Sequence, residues 1–353
     1  MNGSVSTVTR RSFLAGTAGV LMAPMVTGPS RAAAPSSSLT MVSYGGSYEE
    51  AFVRTVTNPF TKETGIEVKL VNAPDLSKVK AMLLTGNVEW DIYVGSGTWL
   101  ASGSKQGLWE RFDPSIVELK RDLAVPLTSD LATYEMFVMG VAWDPKKYGP
   151  GNHPTNFAEF FDLKKFPGRR GMRPVPDGTL EAALLADGVS VKDVYPLDLD
   201  RAFKALDRIK SNTVWPPTAP QSVTLLQAGE VDFGLIYSNR ARTTNDPDGG
   251  VPLAFSFEQN VLNTDTLAVV KGAPNKENAM KLIAYMLRPE VEARLANQVS
   301  TVPVSKMAAS MLSPEARKWQ PDLNKPSHLV VNSEYWADNY EAVSRRFKEW
   351  LIT

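Results

Sequence analysis

Between residues 39 and 97, apolar and polar positions alternate between two periods. Leu39–Ser43 is a short apolar run that stops at Tyr44-Gly45-Gly46. Phe52, Val53, Val56 and Phe60 then recur at helical spacing, and Ser47 with Glu50 three residues on predicts a capping box at the start of that helix. Ile66–Val71 alternates as a second strand, and Asp75 predicts the cap of a helix carrying Val79, Met82, Leu83 and Leu84. Ile92-Tyr93-Val94 reads as a third strand ending in Gly95-Ser96-Gly97. Strand and helix in strict turn predict a doubly wound parallel sheet.

The rhythm breaks at Met136–Trp143, a long extended apolar run, and a second α/β set follows. Helices are expected from Asn156 to Asp162, near Leu180–Asp187, Leu199–Asn212 and Ser222–Ala228, and strands at Val231–Tyr237, Leu253–Phe257 and Leu267–Val270. Amphipathic helices are expected at Lys276–Leu287, from Glu290 to Asn297, and over Ser333–Leu351, where Trp336, Tyr340, Val343, Phe347 and Trp350 share one face.

The first 34 residues change the picture of where the chain works. Arg10-Arg11-Ser12-Phe13-Leu14, an apolar stretch and Ala32-Ala33-Ala34 form an export signal of twin-arginine type, cleaved near Ala34. Its apolar stretch, about 14 residues, is shorter than a membrane span. Losing it removes three arginines from a chain of 38 basic and 38 acidic side chains, leaving a net charge of about −3. That balance argues against nucleic-acid binding, which needs a basic face. The chain has no cysteine, so disulfides and thiolate metal sites are excluded.

Catalytic machinery is hard to find. The two histidines, His153 and His328, lie far apart beside turn residues, and no nucleophile elbow, phosphate loop or dinucleotide fingerprint is present. Catalytic residues, metal ligands and cofactors are therefore not expected. More telling are Tyr44-Gly45-Gly46-Ser47-Tyr48 and Gly95-Ser96-Gly97-Thr98-Trp99, which fall at predicted strand ends, where open α/β sheets hold their ligands.

A run of segments carries a family resemblance. These are Val42–Gly46, Trp90–Val94, Val231–Arg240, Thr264–Val269 and Lys271–Lys276, in that order and spacing. Together with the export signal they resemble the extracellular solute-binding proteins of ATP-binding-cassette importers, in the spermidine/putrescine-binding group. The resemblance implies a type II periplasmic binding protein fold: two doubly wound α/β lobes joined by two crossover strands, closing on a ligand by hinge motion. It places one lobe at residues 39–140 plus 263–303 and the other at 141–262 plus 304–353. It also implies a monomeric periplasmic receptor that hands a small amine, foremost a polyamine such as spermidine or putrescine, to a membrane permease.

On the matching positions, the ligand residues implied are Tyr44, Gly46 and Tyr48 in the first-strand loop, Ser96 in the third-strand turn, Glu181, Tyr237 and Asp265. Asn263 departs from the pattern, since polyamine binders usually carry an aromatic there. Arg240 departs too, because a guanidinium suits an acid group better than a second cation. It joins the candidate site residues as the group that would favour an opine, an amino-acid-like solute or an aminophosphonate. A ferric receptor would want paired tyrosines, and no adjacent pair occurs. A secreted hydrolase on the same scaffold is the reading from another class.

Overall fold

The computed structural model describes residues 38–72 and 75–353, apart from the Ser47 side chain. The expected export signal lies outside the described residues. The strands are β1 (Ser38–Ser43), β2 (Glu67–Asn72), β3 (Ile92–Ser96), β4 (Ala132–Trp143), β5 (Arg170–Gly171), β6 (Thr213–Val214), β7 (Phe233–Tyr237), β8 (Ala254–Phe255), β9 (Val261–Val269), β10 (Val302–Pro303) and β11 (Leu329–Val330). They form one sheet in the order β2-β1-β3-β9-β4-β7-β5-β6, with β8 and β10 attached to β4 and β11 to β9.

The sheet is mixed. β2, β1 and β3 run parallel, as do β7, β5 and β6, which is what a strand–helix rhythm requires. Between these parallel sets lie β9 and β4, antiparallel to each other and to their outer neighbours. The two long strands link two hydrophobic cores. Ala132 and Tyr134 at the start of β4 belong to a core with Met41, Phe52 and Ile92, while Val141 and Trp143 at its end belong to a core with Phe157, Leu180 and Phe233. β9 passes the other way, from Val261 in the second core to Leu267–Val269 in the first. A strand arriving from the opposite core enters with its direction reversed, which is why the purely parallel expectation fails at the centre.

Local signals account for most helix starts. Asp75 Oδ1 accepts from Ser77 N at 2.8 Å, and Asn156 Oδ1 from Glu159 N at 2.9 Å. The first helix begins earlier than expected, at Gly46. Gly45 stands before it with φ 68°, a conformation that favours glycine. This helix runs on to Thr64 through a wider π-type stretch at Val53–Thr57, which keeps Phe52, Val56 and Phe60 all buried. The expected helix over Leu199–Asn212 ends at Asp207, and a 3₁₀ turn covers Lys210–Asn212. The strand expected at Leu267–Val270 begins six residues earlier, at Val261, because its first half is a polar run that is nevertheless buried.

The tail helix, Ser333–Ile352, roots Trp336, Val343 and Phe347 in the second core. Its outer face reaches back to the first half through ion pairs Lys80–Glu341 at 2.7 Å and Lys105–Asp338 at 3.2 Å. Among the described residues, no helix is long and apolar enough to cross a membrane.

The second core is built around a cation. Arg170 is fully buried between the rings of Phe160 and Phe233, and donates to the carbonyls of Phe160 (2.7 Å), Gly168 (2.9 Å) and Phe166 (2.6 Å). Burial lowers its pKa to about 10, so it still carries its charge at neutral pH. Arg170→Met is expected to cost about 3–5 kcal/mol, because three carbonyls lose their donors at once. Urea unfolding measures this directly. A midpoint equal to that of the wild type would mean that the carbonyls find other donors.

Candidate functional site

The ends of β1, β3 and β7, the middles of β4 and β9, and the loop after β5 converge on one cavity of about 280 Å³. Its position follows from the topology: the β1–β3 set and the β7 set run in opposite directions, so their carboxyl ends approach each other where β4 and β9 pass from one core to the other. Tyr44, Tyr48, Ser96, Tyr237, Arg240 and Asp265, all expected from the sequence, line this cavity. Gly46 is exposed and does not line it.

Glu181 does not line it either. Its carboxylate accepts from Gly178 N at 2.7 Å, Tyr195 Oη at 2.7 Å and Trp336 Nε1 at 2.7 Å, which ties the start of its own helix to the tail helix. Burial raises its pKa to about 7. The helix-start position is as expected, but the side chain turns back toward the helix N-terminus, as helical side chains do, and away from the ligand cavity.

Three acids meet at the cavity instead. Asp265 faces Glu135 across the β4–β9 pair and Ser96 across β3–β9. Tyr44 Oη donates to Asp265 Oδ1 at 2.8 Å. Glu135 accepts from Tyr48 Oη at 2.5 Å and Thr301 Oγ1 at 2.6 Å. The third acid is Asp177, whose Oδ2 accepts from Thr98 Oγ1 at 2.9 Å and Ser96 Oγ at 3.2 Å. Sequence reasoning missed Glu135 and Asp177. Glu135 could have been found as the one acid inside the apolar run 132–143. Asp177 carries no such mark, since acids beside glycine in a loop are commonplace.

Two guanidiniums share the same walls. Arg240 has no hydrogen-bond or ion-pair partner for its side chain among the described residues, and burial lowers its pKa. Arg173 makes only long contacts, to Tyr237 Oη at 3.5 Å and Pro217 O at 3.4 Å, and its Nε is buried without an acceptor. Phe137 and Tyr237, edge to face at 4.8 Å, supply an apolar wall. The cavity can thus hold a cationic and an anionic group at once, with a short apolar spacer between them.

Burial, and then the neighbouring Glu135, push the Asp265 carboxyl up to about 8. In the unfolded chain an aspartate releases its proton near pH 3.9. Between these values the folded state holds the extra proton, so its stability is highest at the acid end and falls as pH rises toward 8. Calorimetry of the ligand-free protein should show this decline between about pH 5 and pH 8, and Asp265→Asn should make it shallower, with Glu181 and Glu292 keeping their own share. Parallel curves for the two proteins would place the proton elsewhere.

Comparison with known proteins agrees with this architecture. Residues 55–324 match the family described as bacterial extracellular solute-binding protein. A gamma-aminobutyric acid-binding protein of Pseudomonas aeruginosa is 33% identical over 331 residues, covering 90% of this chain and 92% of that one. The spermidine/putrescine-binding periplasmic protein of Escherichia coli is 25% identical, covering 82% and 85%. Among solved structures, a GABA receptor superposes with TM-score 0.81 at 32% identity, over 89% of this chain and 97% of its own. AgtB of A. tumefaciens R10, bound to agropinic acid, gives 0.79 at 33% identity over 90% and 99%. These likenesses, with two cores joined by β4 and β9, establish the two-lobed periplasmic binding protein fold. The chain belongs to the bacterial extracellular solute-binding proteins.

Proposed function

We propose that this protein is the periplasmic receptor of an ATP-binding-cassette importer, and that its solute is a small zwitterion: an amine joined to an acid group through a short apolar spacer. The observation that carries the reading is the pair of guanidiniums, Arg173 and Arg240, unneutralised on the same cavity as three buried carboxyls. A polyamine satisfies only the carboxyls. Its second ammonium would approach a like charge, at about 4 kcal/mol for 4 Å separation in a partly screened site. A zwitterion satisfies both signs. The relatives named for GABA and for agropinic acid, 32–33% identical, support this choice, while the relative named for spermidine/putrescine, 25% identical, is compatible with the polyamine reading favoured by the sequence.

In this reading the protein is exported by its N-terminal signal, works as a monomer without catalysis, and delivers its ligand to a permease. The lobes follow the boundaries given above, except that Lys306–Arg317 stays with the first lobe, since Leu312 and Ala316 pack on Ala296.

Thermal unfolding against GABA, putrescine, spermidine and an opine tests the reading. A ligand at about a thousand times its Kd adds roughly 4 kcal/mol, several degrees for a protein of this size. Stabilisation by GABA or the opine, with little from putrescine, is the expected result. A shift with the polyamines alone would restore the sequence-based ligand. Arg240→Ala should weaken GABA binding by about 2–4 kcal/mol, read by calorimetric titration, because the ligand acid loses a desolvated partner.

A further inference from the structure

A second hollow, of about 150 Å³, lies beside the ligand cavity and shares Tyr48, Asn239 and Arg240 with it. Its two walls come from different halves of the molecule. One is the helical stretch around Glu50 and Arg54, together with the end of the helix Pro289–Val299, and Phe52, Val56 and Val299 root it in the first core. The other is the helix Ser238–Thr243 and its continuation to Asp246, which follows β7 and buries Ala241 in a cluster with Ala142 and Ile236.

Each wall carries both signs of charge, and neither uses them up. Glu50 and Arg54 stand four residues apart, a spacing at which opposite charges pair along a helix. Yet neither side chain has a hydrogen-bond or ion-pair partner among the described residues. On the opposite wall Arg242 donates to Asp246 Oδ2 at 3.0 Å and reaches Gln298 O, at the end of the facing helix, at 3.5 Å. Both contacts use Nη1. Nη2 and Nε, on a side chain only 17% exposed, have no acceptor among the described residues. A guanidinium with donors to spare thus shares a hollow with an unpaired carboxylate. Its long contact to Gln298 already joins the halves, at a helix end whose last carbonyls attract a cation.

We propose that this hollow is a charged latch between the lobes. As they close, Arg242 bridges Glu50 and the carbonyl end of the helix Pro289–Val299, while Arg54 meets Asp246. None of these four charged side chains lines the ligand cavity, so the latch sets how readily the empty receptor closes without choosing what it binds. A larger closed fraction strengthens the apparent affinity for every solute alike. The latch requires only the two-lobed fold and is independent of the solute proposed above.

The chain has no cysteine, so spin labels at Lys62→Cys and Glu230→Cys, exposed positions one in each half, report the distance between the lobes in the ligand-free protein. Glu50→Arg sets two arginines of one wall against two of the other and should lower the population at the shorter distance by about threefold or more. Adding Arg242→Glu restores opposite charges and should bring that population back to within about 1.5-fold of the wild type. Glu50 is exposed, so its variant keeps the core intact. Should the double variant fail to fold, about 1 M salt, where the Debye length is about 3 Å, should erase the difference between Glu50→Arg and the wild type. An unchanged distance distribution in Glu50→Arg, or a loss that neither Arg242→Glu nor salt removes, would overturn the latch. No solute enters the experiment, so either outcome leaves the zwitterion reading standing.

Discussion

The structure depends on how it tolerates two carboxyls face to face at the point where its two halves meet. Glu135 and Asp265 occupy opposed positions on β4 and β9, the strands that connect the two cores. Neither can move away without breaking the strand pair. The surrounding hydroxyls, from Tyr44, Tyr48 and Thr301, are spent on solvating this pair. Among the residues lining the cavity, the buried polar atoms left without a partner are the acceptors Asp177 Oδ1, Asn239 Oδ1 and Asn263 Oδ1 and the donors Trp99 Nε1 and Arg173 Nε.

Three arginines of the second half show how context sets the role of one residue type. Arg170 has three carbonyls and two aromatic faces, and its charge is used up in holding a loop to the core. Arg242 is taken by Asp246 at 3.0 Å, four residues along the same stretch. Arg240, two residues before it, has neither kind of partner and points its unmet donors into the cavity. An unsatisfied guanidinium at a concave wall is what the proposed function draws on, since leaving it unmet is costly without a ligand.

The sequence carried the outline of this well. Strand ends at Tyr44 and Ser96, the acid at Asp265 and the ring at Tyr237 all reach the cavity, because each sits at a strand terminus or on a strand face that periodicity marks. Two kinds of information were missing. Glu181 looked like a ligand acid because its helix start was clear. Its partner Trp336 lies 155 positions away, and nothing local announces that contact. β9 was half hidden because Asn263–Thr266 is polar, and only the cavity and its neighbouring strands explain why polar residues are buried there. Periodicity finds surfaces that face water or hydrocarbon. It does not find surfaces that face a ligand.

The tail helix is anchored in one core by Trp336, Val343 and Phe347, yet its contacts to the other half include the exposed pairs Lys80–Glu341 and Lys105–Asp338. Such pairs contribute little, and what they contribute is screened within a Debye length of about 8 Å at 0.15 M salt. Part of the grip between the halves is therefore set by the medium and not by the chain. The uncharged part of the same contact, where Tyr340 meets Trp99, does not vary with salt, so ionic strength tunes the attachment of the tail helix without deciding it.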